Sequence, residues 1–122
     1  MIADIRLILY VAFLSLGIWG IGTLAIYLLF GAFDFHLSPI AAFAVMVIVI
    51  IGITIPTAPG FVGNWHFFCI LGLTMFGVPK ADAVAYAVIY HVIAIGVAVV
   101  LGLVFLPFNM PFLYDLKKNA SQ

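Results

Sequence analysis

The sequence predicts an all-α fold, a polytopic bundle of transmembrane helices. Hydrophobic residues make up 68% of the 122 residues and charged residues only 7%, with a mean hydropathy of +1.42. Soluble domains are about 45–50% apolar and about 25% charged. A chain this apolar cannot cover a water-facing surface, so its solvent must be lipid. The charges leave three uncharged stretches, residues 7–33, 35–79 and 83–114, and at about 20 residues per crossing the middle one is long enough for two.

Four membrane segments are expected in a single transmembrane domain, residues 1–122. The first covers about residues 7–30, which is too long for the apolar region of a signal peptide, about 7–15 residues. We therefore expect it to be retained as a span. The second covers about residues 39–55, with Ser38 as its N-cap and Pro39 in its first turn, a favoured position for proline.

The third and fourth segments are expected at about residues 63–77 and 81–106. The third begins near Gly63 or Asn64 and ends at Gly77, and the fourth is stopped by Pro107, because proline cannot continue a helix ladder. The second and third segments are each only about 25 Å long, shorter than a hydrocarbon core of about 30 Å. They either cross by thinning the bilayer or form a re-entrant hairpin, and both alternatives remain open from the sequence.

The distribution of positive charge predicts the orientation. With four segments the two termini lie on the same side, which holds Arg6, Lys117 and Lys118, while the other side holds Lys80. Cytoplasmic loops carry the excess of Lys and Arg, so we expect both termini to be cytoplasmic. The zero net charge offers no basic patch for nucleic acid.

The most polar part of the apolar middle stretch is the run PTAPGFVGNWH, residues 56–66. Pro59 cannot continue the preceding helix, and Gly60 and Gly63 leave the backbone open. Asn64 can then cap the next helix, whose N-terminus attracts anions such as phosphate. The sequence therefore predicts either a lipid head-group site at this break or a tight membrane turn without a ligand.

Two histidines are the other candidate site residues. His66 lies in the first turn of the third segment and His91 in a stripe of small residues on the fourth. Since charge in a membrane is costly, we expect both imidazoles to be neutral. They then either pair with each other, one donating and one accepting, or bond separately to carbonyls or water. Two histidines without a nearby carboxylate do not predict a metal site, and no cofactor is expected.

Stripes of small residues predict close helix packing. They imply partners for this chain, which are further transmembrane helices from a missing N-terminal part, a second copy or another subunit. The stripes are Phe13, Gly17, Gly20, Tyr27 and Gly31 on the first segment; Ala41, Val45, Ile48 and Gly52 on the second; and Ala83, Ala87, His91, Ala94, Ala98 and Gly102 on the fourth.

The run PTAPGFVGNWH followed by LGLTMFGVPKADAVAYAVIYH resembles the C-terminal part of the lysylphosphatidylglycerol synthase transmembrane region family, the flippase-like membrane proteins. The resemblance covers about residues 40–105. Many members carry Glu where His66 stands and Arg where His91 stands, so a hydrogen-bonded pair would replace an ion pair here. The matching elements are Pro56, Pro59, Gly60, Gly63, His66, Gly77, Val78, Pro79 and His91.

The resemblance implies that the chain is the C-terminal portion of a larger fold in a bacterial inner membrane. It also implies the handling or translocation of a phospholipid or lipid-linked substrate. The head-group residues would be Pro59, Gly60, Gly63, Asn64, His66 and His91. No acid, base or nucleophile constellation indicates an enzyme. The alternative is a non-catalytic subunit or scaffold that partners a lipid-modifying or glycosyl-transferring enzyme.

Overall fold

The structure, a computed structural model, describes residues 4–55 and 59–120, with side chains as far as Pro107. Every regular element in these ranges is helical. The α-helices are α1 (Ile5–Ala32), α2 (Pro39–Ile53), α3 (Asn64–Met75) and α4 (Lys80–Ala120), and a short 3-10 turn covers Pro59–Phe61. The predicted all-α class is confirmed for the described residues, and the first three helices begin and end within two residues of the expected bounds.

The chain forms two compact units, residues 1–90 and 91–122. The first unit contains α1, α2, α3 and the first turns of α4. The second unit contains the remainder of α4, which is helical to Ala120.

Two helices are long and apolar enough to cross a membrane. These are α1, with 28 residues, and the part of α4 from Lys80 to Pro107. None of the most apolar window of α1 is buried, so that helix presents Leu, Ile and aromatic side chains outward along its length. An exposed hydrocarbon surface of this size is compatible with lipid as the surrounding medium.

The core of the first unit is formed by residues of all four α-helices. The fully buried members of α2 include Val45 and Val49, and those of α3 include Cys69 and Leu73. The Phe68 side chain of α3 packs against Gly52 of α2, where an added Cβ would overlap it. A side chain at position 52 would therefore displace Phe68.

The α2 stripe predicted from the sequence is largely buried, with Ala41, Val45 and Gly52 in the core. The α1 stripe lies on the exposed face instead, and an added Cβ at Gly17 or Gly20 would meet nothing within 4 Å. The residues of α1 that enter the core are Ile26 and Phe30. Their aromatic and branched side chains bury more apolar area than glycine can, which explains why α1 packs through this face.

Both α1 and α3 end in a Schellman motif. At the end of α3, Val78 N–H donates to Leu73 O and Gly77 N–H to Thr74 O, and Gly77 has a φ of +84°. At the end of α1, Phe35 N–H donates to Phe30 O. Asp34 takes the left-handed position there, with a φ of +56°. Glycine usually occupies this position, so the sequence indicates the end of α3 more clearly than the end of α1.

The prediction that Pro107 stops the fourth helix is wrong. The helix α4 continues through Pro107 and Pro111 to Ala120. Each proline removes one backbone donor from the helix ladder and crowds the preceding turn.

Candidate functional site

The break between α2 and α3 is built from residues in the left-handed backbone region. The φ angles of Gly60, Phe61 and Gly63 are +71°, +55° and +92°. Pro59 opens the 3-10 turn that contains the first two of them. Pro56, the other proline of the predicted motif, lies outside the described residues. Two of the three residues with a positive φ are glycines, which adopt this region without strain.

Gly63 is the N-cap of α3, with a φ of +92° and a ψ of −60°. This combination lies outside the regions that residues with a Cβ occupy. An added Cβ at Gly63 would meet nothing within 4 Å, so conformation alone requires glycine here. The first intrahelical bond of α3 joins Phe67 N–H to Gly63 O at 2.8 Å. The positive end of the α3 dipole therefore faces the break.

Asn64 has a role different from the predicted one. We expected it to cap α3, but it is the first helical residue, and its side chain points back to α2. The amide Nδ2 donates to Gly52 O at 2.6 Å and to Ile55 O at 3.2 Å. Gly52 lies in the last turn of α2 and Ile55 lies two residues beyond its end, the region where a helix leaves carbonyls in need of donors. The side chain thus connects the end of α2 to the start of α3. Because Gly63 and not Asn64 is the N-cap, the Asn64 side chain is available for these bonds.

His66 closes part of the same turn. Its Nδ1 accepts a hydrogen bond from Gly63 N–H at 3.3 Å, which is one half of a capping box. The other half is missing because glycine has no side chain. An imidazole that accepts at Nδ1 carries its proton at Nε2 when neutral. This geometry agrees with the expectation of a neutral His66.

His91 lies on α4 at the start of the second compact unit and is only 5% exposed. The pairing of its imidazole with that of His66 stays a prediction. Crosslinking of a His66→Cys, His91→Cys double variant tests it, in a Cys69→Ala background because Cys69 is the native cysteine. A short reagent should join the two positions, and no crosslink would contradict the pairing.

A cavity of about 370 Å³ lies beside the break, within the range of small-molecule sites. Residues of all four helices line it, and Trp65 brings it directly beside the break. The rings of Trp65 and Tyr90 are in contact, with centroids 5.1 Å apart. The lining includes Trp19, Gly22, Met46, Ile50, Trp65 and Tyr90.

A second, more open groove of about 490 Å³ runs between α1 and α2. Its walls are largely hydrocarbon and aromatic, with Trp19 and Phe43 in ring contact at 6.1 Å. Trp19 lines both this groove and the cavity beside the break. Trp19 lies in the middle of α1, far from either end of the helix, whereas tryptophan usually anchors at the membrane interface. This unusual position is the feature of the sequence that could have indicated a site there.

The sequence interpretation missed Phe61 at the break. A bulky residue with a positive φ is uncommon and strained, and the Phe61 side chain is exposed. Of the predicted site residues, the described break contains Pro59, Gly60, Gly63, Asn64 and His66 in one turn. No feature of the single sequence distinguishes Phe61 from the many other aromatic residues of the chain.

Comparison with protein families identifies the chain. The model of the lysylphosphatidylglycerol synthase transmembrane region matches residues 1–102, a wider range than the resemblance of residues 40–105 seen in the sequence. No curated protein and no solved structure matches it. Since the match covers most of the chain and includes the break, the chain belongs to the lysylphosphatidylglycerol synthase transmembrane region family of membrane proteins.

Proposed function

We propose that the chain handles or translocates a phospholipid or lipid-linked substrate, and that the break at residues 59–66 contacts the phosphate-bearing head group. The observation that carries the proposal is the glycine-built break at the N-terminus of α3. Gly60 and Gly63 keep side chains away from the backbone, so an anion can approach the positive end of the helix dipole. Membership of the family supports a lipid as the ligand.

The proposal has further parts. The role is non-enzymatic, the membrane is the bacterial inner membrane, and both termini are cytoplasmic. The exposed stripe of Gly17 and Gly20 on α1 supports a partner helix, which comes from a second copy, a partner subunit or further helices of a longer protein. Membrane lipids are the other partners.

A second candidate function is a non-catalytic subunit or scaffold, in which the break is only a turn. The contacts of Asn64 and His66 favour it. The Asn64 amide donates to the carbonyls of Gly52 and Ile55, and Nδ1 of His66 accepts from Gly63 N–H. These bonds explain both side chains without a ligand.

Replacement of Gly63 by Ala, compared with the same change at Gly77, separates the two functions. Both glycines have a positive φ, at opposite ends of α3, and both have open space around a Cβ. Gly77→Ala therefore controls for the placement of a Cβ residue at a positive φ beside the same helix. Binding of phosphatidylglycerol should be lost in Gly63→Ala and kept in Gly77→Ala, measured by titration of the purified chain with phosphatidylglycerol in mixed micelles. Equal binding by the two variants would favour the scaffold.

A further inference from the structure

We infer that the cavity beside the break holds one hydrocarbon chain of the lipid whose head group occupies the break. The inference rests on the proposed function for the position of the head group. It adds a second subsite on the same lipid, formed by Trp19, Met46, Ile50, Trp65 and Tyr90.

The first argument is continuity. Trp65 lines the cavity and is the residue between Asn64 and His66 of the break. A ligand bound at the start of α3 therefore has this apolar space directly beside it. A phospholipid places a phosphate next to long hydrocarbon chains, so its two chemical parts match the two neighbouring parts of the protein.

The second argument is chemistry. The lining is made of aliphatic and aromatic side chains, together with the Met46 thioether and the backbone at Gly22. None of the charged side chains in the described residues belongs to the lining. Burying a charged or strongly polar ligand group there would leave it without a partner, which is costly. Burying hydrocarbon gains the usual apolar contact energy, and methionine adapts to irregular flexible ligands.

The third argument is size. The cavity of about 370 Å³ lies within the range of small-molecule sites. A single hydrocarbon chain is narrow enough to enter it, since carbon atoms pack at about 4 Å from their neighbours.

The test uses Trp65 as a fluorescent reporter in the full chain. The sequence contains two tryptophans, Trp19 and Trp65, so Trp19→Phe leaves Trp65 alone in the cavity wall. The protein is placed in phosphatidylcholine vesicles with a small fraction of phosphatidylglycerol that is brominated on one acyl chain. Bromine quenches tryptophan at close range, so a bound chain quenches Trp65 more strongly than the bulk fraction of brominated lipid predicts.

Two neighbouring substitutions provide the matched comparison. Ile50→Phe fills the cavity from a residue that is 36% exposed, and Ile51→Phe adds the same bulk at the next residue, which is 60% exposed and outside the lining. The excess quenching should disappear in Ile50→Phe and remain in Ile51→Phe. If Ile50→Phe does not fold, Ile18→Phe narrows the cavity from α1, where the residue is 72% exposed. Quenching in proportion to bulk lipid in the parent protein, or the same excess in all variants, would overturn the inference.

Brominated diacylglycerol, which has the same chains without phosphate, separates failure of the cavity from failure of the head-group site. Excess quenching by both lipids, unchanged by Gly63→Ala but lost in Ile50→Phe, supports the chain subsite and removes the head-group assignment. The opposite result overturns the chain subsite and keeps the head-group site. In that case Gly63→Ala abolishes the excess quenching by phosphatidylglycerol, and Ile50→Phe leaves it intact.

Discussion

Replacing Asn64 by Ala tests whether its side chain holds α2 and α3 together at the break. The substitution removes the two hydrogen bonds from Nδ2 to Gly52 O, at 2.6 Å, and to Ile55 O, at 3.2 Å. Each such bond contributes about 0.5–1.5 kcal/mol net. The Gly52 carbonyl keeps the N–H of Ile55 at 3.3 Å, so it is not left without a donor. We therefore expect a loss of about 1–3 kcal/mol in the free energy of unfolding.

The matched control is Thr74→Ala at the other end of α3. The Thr74 hydroxyl donates to Leu71 O within its own helix at 3.0 Å, on an exposed surface, so its removal should change stability by less than about 0.5 kcal/mol. Unfolding is followed by circular dichroism in detergent micelles as sodium dodecyl sulfate is added. Equal unfolding midpoints for Asn64→Ala and Thr74→Ala would refute the reasoning. The hydrogen bonds that Asn64 makes between two helices would then contribute no more to stability than the bond that Thr74 makes within one helix.

Three further outcomes are expected. Asp34→Gly should stabilise the protein by about 0.5–1 kcal/mol in the same assay, because glycine adopts the left-handed position that ends α1 without strain; a loss of stability would contradict this account of the turn. Gly52→Ala should destabilise by about 1–3 kcal/mol by overlapping Phe68, while Gly31→Ala, with open space around its Cβ, should not, and equal effects would refute the close contact. A cysteine placed at Ser121 should resist membrane-impermeant thiol reagents added outside intact cells, as the bias of positive charge predicts, and strong labelling would reverse the orientation.

The ends of the first three helices could be predicted because local chemistry determines them. Ser38 is the N-cap of α2, where its hydroxyl accepts from Ala41 N–H at 3.3 Å, and Pro39 is the first residue of that helix. Gly77 ends α3. These signals act over three or four residues and are visible in any single sequence. The end of α4 could not be predicted, because the effect of Pro107 depends on the rest of the helix and its surroundings, and proline is tolerated more readily in membrane helices.

The glycines of the break could also be predicted, since only glycine fits the backbone at Gly63. The side-chain partners could not. The bonds of Asn64 reach 9 and 12 residues back along the chain, and the direction of an amide is set by where α2 ends. The contact of Trp65 with Tyr90 and their shared cavity with Trp19 depend on how three helices pack, and helical periodicity does not contain that information.

The bonds that Asn64 makes also bear on how the protein enters the bilayer. The helices α2 and α3 have 15 and 12 residues, so neither alone has the length of a stable span. The Ile55 carbonyl, two residues beyond the end of α2, accepts from the Asn64 amide, and without a donor it would cost several kcal/mol in hydrocarbon. That bond can form only after the start of α3 has been synthesised. The hairpin should therefore leave the insertion machinery as one unit, and a ribosome arrested between Ile55 and Asn64 would hold a segment that is not yet committed to the membrane.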